Sequence, residues 1–179
     1  NIQQALGLQP DATPVSAERD EPWHRGRGNH YIFDLNRDWL TATQPESRAR
    51  IRQLREWLPQ VFVDLHEMGS DATYYFAPEA IPYNPWLVPH QRASLDWFGR
   101  RNAAYFDRAG INYFTREVYD AFYPGYGASW PAYLGSIAMT YEQRSSRGLL
   151  ARTSRGLEFP FRDTVRGHFL TSLATAETT

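Results

Sequence analysis

The feature that most constrains the fold is a nearly continuous apolar run at residues 60–66, QVFVDLH. Pro59 precedes the run and charged residues close it, so its length is that of a strand. Apolar runs of this kind are typical of strands covered on both faces, as in parallel sheets flanked by helices. The sequence therefore predicts a protein of the α/β class.

Helical and strand patterns alternate along the rest of the chain. Thr43 and Glu46 have the spacing of a capping box, and an apolar stripe then predicts a helix to about Trp57. Two more helices are predicted at residues 89–108, ending at Gly110, and at residues 161–176. Further strands are predicted at residues 31–35, 113–118 and 136–142. This alternation indicates an α/β sandwich on a mixed or parallel sheet.

The length and composition indicate one domain over residues 1–179, beginning with an irregular segment at residues 1–30. The chain has no Cys, so any metal must be held by His, Asp or Glu. No run approaches the roughly 18 apolar residues that span a bilayer. With a net charge of -1 and no basic stripe, a nucleic acid is not the expected partner.

Polar clusters follow three of the predicted strands, where open α/β sheets place their sites. The clusters are Asp34-Leu35-Asn36-Arg37-Asp38, Asp64-Leu65-His66-Glu67 and Thr140-Tyr141-Glu142-Gln143-Arg144. A neutral imidazole at a buried strand end is a suitable zinc ligand, and a nearby Glu is suited to act as a general base toward water.

These clusters resemble the motifs of the zinc carboxypeptidases, the family of carboxypeptidase A, in a bacterial branch. The family's Asp-x-Asn-Arg-Asn segment, late zinc His, Tyr-bearing loop and Thr-Phe-Glu-x-Arg strand end occur in order at residues 34–39, 61–66, 123–130 and 140–144. Ala128 stands where the family has Gly before Ser129. The resemblance implies a three-layer sandwich with a mixed, largely parallel sheet flanked by helices.

The resemblance also implies a role for each matching residue in hydrolysis of a peptide bond beside a free C-terminal carboxylate. His66 would be the third zinc ligand and Glu142 the general base. Asn36 and Arg37 would bind the carboxylate of the substrate, and Tyr123 would close over the bound substrate. Asp34 would orient a zinc-binding His, and Trp130 would line the side-chain pocket. The Trp130 position argues against a preference for basic terminal residues.

The chain also departs from the family pattern. It contains no His-x-x-Glu segment, which supplies two zinc ligands in the family, and no Asn-Pro-Asp-Gly segment. We expect the missing ligands to precede Asn1, on the remainder of the same catalytic domain, and this chain alone to be inactive. Family members of this branch are exported, so a secreted or periplasmic location is expected.

Several assignments stay open at this stage. Tyr119 and Tyr126 are alternatives to Tyr123, and His24 and His30 are alternative metal ligands. Beside His66, Asp64 is expected to give a supporting hydrogen bond and Glu67 to have a structural role. Without the other motifs, Arg37 would be explained by a structural ion pair with Asp38 or Glu46. His90 and His168 are expected at the surface or partly packed.

Two other functions compete with a carboxypeptidase. One keeps the metal and the fold but changes the substrate, as in a zinc deacylase or a cell-wall peptide amidase. The other is a binding module that holds carboxylate-terminated peptides without cutting them. Glu142 favours catalysis, since binding alone does not need a general base.

Overall fold

The structure is a computed structural model and describes residues 28–146 and 148–179. Most of the predicted irregular segment 1–30, with His24, lies outside the described residues. The elements, in chain order, are α1 (Pro45–Trp57), β1 (Val61–Met68), β2 (Tyr74–Tyr75), α2 (Pro89–Ala109), α3 (Ser129–Ala132), β3 (Ile137–Arg144), β4 (Leu150–Arg152), β5 (Glu158–Pro160) and α4 (Phe161–Thr178).

The chain is a mixed α/β protein built on a small mixed sheet. The strand order is β1-β3-β2, in which β1 pairs with β3 in parallel and β2 pairs with β3 antiparallel. Strands β4 and β5 form a separate antiparallel pair. The parallel pairing runs the full length of β1 and β3, and it therefore brings their carboxyl ends to the same edge of the sheet.

The two faces of the sheet bury different clusters because side chains alternate along β3. Met139 and Tyr141 face α2 and α4, where they pack with Tyr74, Phe98 and Phe106 in the main core. The opposite face is lined by a smaller cluster of Leu87, Ala121, Ala132 and Ala138. The second face carries less apolar volume, which leaves room for a cleft beyond it.

Strand β1 is less covered than its apolar sequence predicts. Leu65 is 49% exposed, and none of the eight residues of β1 is fully buried. Within the described residues, β1 pairs along one edge only, with β3. The expectation that this strand is covered on both faces holds only in part: Val61 and Val63 pack against the main core and Phe62 against the smaller cluster, whereas Leu65 is half exposed.

The three predicted helices are confirmed, and their ends have the expected chemistry. Pro45 and Pro89 occupy the first turns of α1 and α2, where the missing N–H costs nothing. Gly110 ends α2 in the left-handed conformation, at a φ of 65°. The capping box is wrong: Gln44 is the N-cap residue of α1, and the Thr43 hydroxyl donates to Asp38 instead, at 2.7 Å.

Two predicted strands do not form because single residues adopt positive φ. Ile32 has a φ of 67° within the predicted strand 31–35. Arg116 and Val118 have φ values of 62° and 65° within the predicted strand 113–118. An extended ladder cannot continue through the left-handed region. The second segment still runs beside residues 74–80, where its Phe114 N–H donates to the Tyr74 carbonyl at 2.8 Å.

The sequence did not predict β2, α3 or the β4–β5 pair. All four segments are between two and four residues long, too short for a periodic pattern to distinguish them from loops. Among the described residues, no helix has both the length and the apolar character required to cross a bilayer.

Candidate functional site

A polar cleft of about 340 Å³ lies at the carboxyl ends of β1 and β3. The parallel register sets His66 opposite Glu142 and Asp64 opposite Thr140. Paired residues of neighbouring strands project from the same face, so all four side chains line one side of the sheet. The second and third polar clusters of the sequence therefore lie side by side at this edge of the sheet.

The imidazole of His66 is held by two polar neighbours. Its Nε2 atom lies 2.7 Å from Asp64 Oδ2 and 3.1 Å from Asn36 Nδ2. One ring nitrogen cannot bond both partners at once: a protonated Nε2 donates to Asp64, whereas an unprotonated Nε2 accepts from Asn36. The side chains of Asp64 and His66 are both about one quarter exposed, with values of 26% and 23%, so the pair remains accessible from the cleft.

The orientation of Asn36 is fixed by donors from two other parts of the chain. Its Oδ1 atom accepts hydrogen bonds from the Gly127 backbone N–H at 2.9 Å and from Trp39 Nε1 at 3.2 Å. With the oxygen so engaged, Nδ2 must point toward His66. A Cβ atom at Gly127 would collide with Asn36 Oδ1 and would lie 2.6 Å from Asp64 Oδ2. Glycine at this position thus allows the backbone to approach the site.

Arg37 lies at the exposed rim of the same cleft. Its guanidinium carbon is 4.7 Å from the centre of the Tyr126 ring, and Nη1 donates to the Asn36 carbonyl at 2.9 Å. The ion pairs between described residues include none from Arg37 to Asp38 or Glu46. Arg37 is therefore supported by an aromatic face, which leaves further guanidinium donors to meet an anion.

Glu142 is buried, with 7% of its surface exposed. The Tyr119 phenol donates a hydrogen bond to its carboxylate, and Tyr119 also lines the cleft. Burial, followed by the negative charge of Glu142 and this hydrogen bond, raises the pKa of Tyr119 to about 12. The phenol consequently stays protonated and remains a donor to Glu142 across the physiological pH range.

The tyrosines of the cleft differ from the one expected. Tyr119 and Tyr126 line it, whereas Tyr123 is 41% exposed and packs edge-on against the Tyr126 ring at 5.3 Å. The choice of Tyr123 depended on its spacing from Ser129, which is a weak guide in a loop. In this structure, either cleft tyrosine is better placed than Tyr123 to contact a ligand.

Two further predicted site residues, Trp130 and Asp34, are not among the residues that line the cleft. The Trp130 ring packs against Trp39 at 6.0 Å, beneath the Asn36 amide. Asp34 Oδ1 accepts the backbone N–H of Asn36 at 2.9 Å, which closes a local turn. Trp130 and Asp34 thus support the loop that presents Asn36 and Arg37, and the argument from Trp130 against basic terminal residues no longer applies.

The described residues do not form a complete metal site. No group of three or more His, Asp or Glu side chains suited to hold an ion occurs within residues 28–146 and 148–179. His66 is a single candidate imidazole ligand, and its Nε2 atom already lies 2.7 Å from Asp64 Oδ2. His30, an alternative ligand, is exposed and packs against Tyr31. The described donors therefore do not fit a tightly bound zinc ion by themselves.

His168 connects α4 to the end of β1, a contact that the sequence did not indicate. Its Nε2 atom donates to the His66 carbonyl at 3.1 Å, since a carbonyl only accepts. Its Nδ1 atom then accepts from the Tyr74 hydroxyl at 2.7 Å. Burial lowers the pKa of His168, which keeps the ring neutral in this bridge. Glu67 has the expected structural role, accepting from Gln143 and Ser145.

Sequence reasoning missed Asp38 and Glu79 as buried carboxylates near the site. Asp38 accepts hydrogen bonds from Thr41, Thr43 and Gln44. Burial acts to raise its pKa, but hydrogen bonds, including those from Thr43 and Gln44, outweigh that effect and hold the pKa well below its usual range. The four hydroxyl and amide donors that follow Asp38 in sequence were an available signal for such a turn.

A scan against protein-family models, a search of curated proteins and a search of solved structures each found no match to this chain.

Proposed function

We propose that this chain supplies the carboxylate-binding groups and the general base of a zinc-dependent metallocarboxypeptidase with a three-layer, carboxypeptidase-like fold. The observation that carries the proposal is the convergence of three sequence-distant motifs in one cleft. Asn36 and Arg37 come from the first, His66 from the second and Glu142 from the third. These are the residue types that hydrolysis of a peptide bond beside a free carboxylate requires.

In this proposal, Arg37 and Asn36 bind the terminal carboxylate of the substrate. The planar guanidinium matches the two oxygens of a terminal carboxylate, and its stacking on Tyr126 limits the entropy lost on binding. The Asn36 amide is already oriented by Gly127 and Trp39. A peptide anchored in this way presents its last peptide bond to the strand ends that carry His66 and Glu142.

Glu142 is the proton carrier. Its carboxylate accepts a proton as water attacks the peptide carbonyl carbon, and it then delivers that proton to the leaving amine as the C–N bond breaks. Tyr119 holds the carboxylate in place during both transfers. A zinc ion would polarise the attacking water; His66 would be one of its ligands, and the others would come from outside the described residues.

The experiment compares hydrolysis of a blocked dipeptide with a free C-terminal carboxylate and of the same dipeptide as its C-terminal amide, using the intact gene product. We expect cleavage of the acid only. Glu142→Gln should lower kcat by about a hundredfold or more with little change in KM, and Arg37→Gln should mainly raise KM. Glu56→Gln and Arg52→Gln, both on the exposed surface of α1, are the matched controls.

Equal cleavage of acid and amide, or full activity of Glu142→Gln, would contradict the carboxypeptidase proposal. A second candidate, a peptide-binding module without catalysis, is favoured by one observation: the described residues contain no group of three metal ligands. Arg37-dependent binding of the acid without zinc or turnover in the intact gene product would support that candidate instead.

A further inference from the structure

Glu79 is a buried carboxyl group of the cleft that the proposed reaction does not use. It follows β2 in a loop that lies beside residues 114–120: the Ala80 N–H donates to the Tyr119 carbonyl at 2.8 Å, and Ala80 pairs with Asp120 in an isolated parallel bridge. This pairing sets Glu79 in the lining of the cleft that also contains Arg37 and Glu142.

The Glu79 carboxyl lacks a full set of hydrogen-bond partners. The residue is 3% exposed, and its Oε2 atom is buried without any partner. Its carboxyl accepts a hydrogen bond from its own backbone N–H. A buried acceptor left without a partner costs free energy, so a ligand group that donates to Oε2 would recover that cost.

The charges around the cleft indicate which kind of donor is missing. Five acidic residues line it (Asp64, Glu67, Glu79, Asp120 and Glu142), and Arg37 is the single Lys or Arg side chain among the described lining residues. Arg37 is assigned to a ligand carboxylate. A ligand with a positive group as well would therefore match the surplus of carboxyl groups.

We propose that Glu79 binds the cationic side chain of the terminal residue, so that the site selects peptides ending in Lys or Arg. The inference depends on the proposed function, because Arg37 must first anchor the terminal carboxylate. A Lys or Arg side chain ends in several N–H donors and is long enough to reach below a bound main chain. Donation to Oε2 forms a charge-assisted hydrogen bond in a site shielded from water.

The test compares the affinities of two ligands that differ in one charge. Nα-acetyl-lysine and Nα-acetyl-norleucine share the free carboxylate and the carbon chain, but only the first carries an ammonium group. Titration calorimetry on the full chain at mildly alkaline pH should give a Kd at least about tenfold lower for acetyl-lysine. Glu79→Gln should bring the two Kd values together, whereas the exposed control Glu56→Gln should leave their ratio unchanged.

The outcomes separate this inference from the proposed function. Equal affinities in the unmodified chain, or a preference that survives Glu79→Gln, would overturn the assignment of Glu79 and leave the carboxylate site intact. Arg37→Gln should weaken both ligands alike, and failure of either ligand to bind in an Arg37-dependent way would overturn the carboxylate site itself. The comparison of ligands on the unmodified chain holds even if Glu79→Gln fails to fold.

Discussion

The two faces of β3 are built from alternate residues of one short sequence and behave differently. Toward α2 and α4, Met139 and Tyr141 are fully buried in an aromatic core. Toward the cleft, Thr140 and Glu142 lie beside Asp64 and His66. Core packing gains stability from filled volume, whereas the cleft face holds polar groups in a partly dry environment at a cost in stability.

Hydrogen bonding differs between the faces mainly in which groups are left unpaired. On the core face, the Tyr141 hydroxyl meets Thr175 at 2.7 Å and Asn102 at 3.0 Å, although Asn102 Oδ1 is itself buried without a partner. On the cleft face, the Tyr75 hydroxyl and Glu79 Oε2 are buried without partners. Of these atoms, Glu79 Oε2 belongs to a residue that lines the cleft, so it is the one that a ligand in the cleft can reach.

The largest expected difference in the free energy of unfolding is between substitutions at two neighbouring residues of β3 that lie on opposite faces. Met139→Ala should lower it by about 3 kcal/mol, because it leaves a cavity in the core. Thr140→Ala should lower it by less than about 1 kcal/mol, since Thr140 borders the cleft. Urea denaturation followed by circular dichroism measures both. Similar losses for the two variants would mean that the faces do not differ in packing.

Glu79 should make stability depend on pH. Burial raises the pKa of Glu79 to about 7, above its value of about 4.3 in an unfolded chain. The folded state then binds more protons between those pH values, and the free energy of unfolding falls as pH rises through that window. Glu79→Gln should therefore be more stable than the unmodified chain by up to roughly 3 kcal/mol at about pH 8, with little difference at about pH 4.

Denaturant unfolding at the two pH values measures this effect, with Glu56→Gln on the exposed surface of α1 as the control. A stability gain of equal size at both pH values would show that the carboxyl group is not the source. The same substitution is expected to remove the preference for acetyl-lysine, so the group that costs stability would also be the group that confers selectivity.

Substitutions at the two tyrosines of β2 should give a smaller difference in the free energy of unfolding. The Tyr74 hydroxyl is bonded to His168 and Thr171 on the core face, whereas the Tyr75 hydroxyl has no partner on the cleft face. Tyr74→Phe should cost about 1 kcal/mol and Tyr75→Phe should be neutral or slightly stabilising. Thermal unfolding of both variants checks this, and a larger loss for Tyr75→Phe would reverse the assignment of the faces.

A modest effect on stability is expected at Gly127. An added methyl group would collide with Asn36 Oδ1 and lie 2.6 Å from Asp64 Oδ2 and 3.0 Å from Trp39 Nε1, so Gly127→Ala should lower the free energy of unfolding by about 1 kcal/mol as the Asn36 hydrogen bonds are displaced. It should also weaken acetyl-lysine binding by about tenfold, because Asn36 loses its orientation. Gly69→Ala is the control, since a Cβ there meets nothing within 4 Å. Unchanged affinity of Gly127→Ala would show that Asn36 does not position the ligand.

Sequence reasoning predicted the parts of this fold that depend on periodicity and on strong boundary residues. The limits of α2 follow from Pro89 and Gly110, and β1 and β3 follow from their apolar runs. The missed turns at Ile32 and Val118 place β-branched residues at positive φ, a conformation that their side chains disfavour. Tertiary contacts impose that conformation, so the residue types alone did not indicate a turn.

The candidate site was predictable where its residues sit at strand ends, and less so where they sit in loops. His66 and Glu142 meet because the parallel register requires it. The cleft tyrosines depend on the path of residues 114–128, which spacing alone does not determine, and Tyr123, chosen from its spacing, does not line the cleft. Glu79 depends on pairing between two loops, and a single Glu in a Pro-rich segment carries no local sign of burial.

The register of β1 and β3 has a consequence for protein engineering. Backbone hydrogen bonds of the ladder, which are indifferent to side-chain identity, set the spacing between His66 and Glu142. The exposed positions of loops 76–88 and 114–128 can therefore be varied in a library while that spacing is inherited unchanged, provided that buried residues such as Phe76, Leu87 and Ala121 are kept. The strands hold the site residues at a fixed spacing, and the exposed loop positions are the part that can be exchanged.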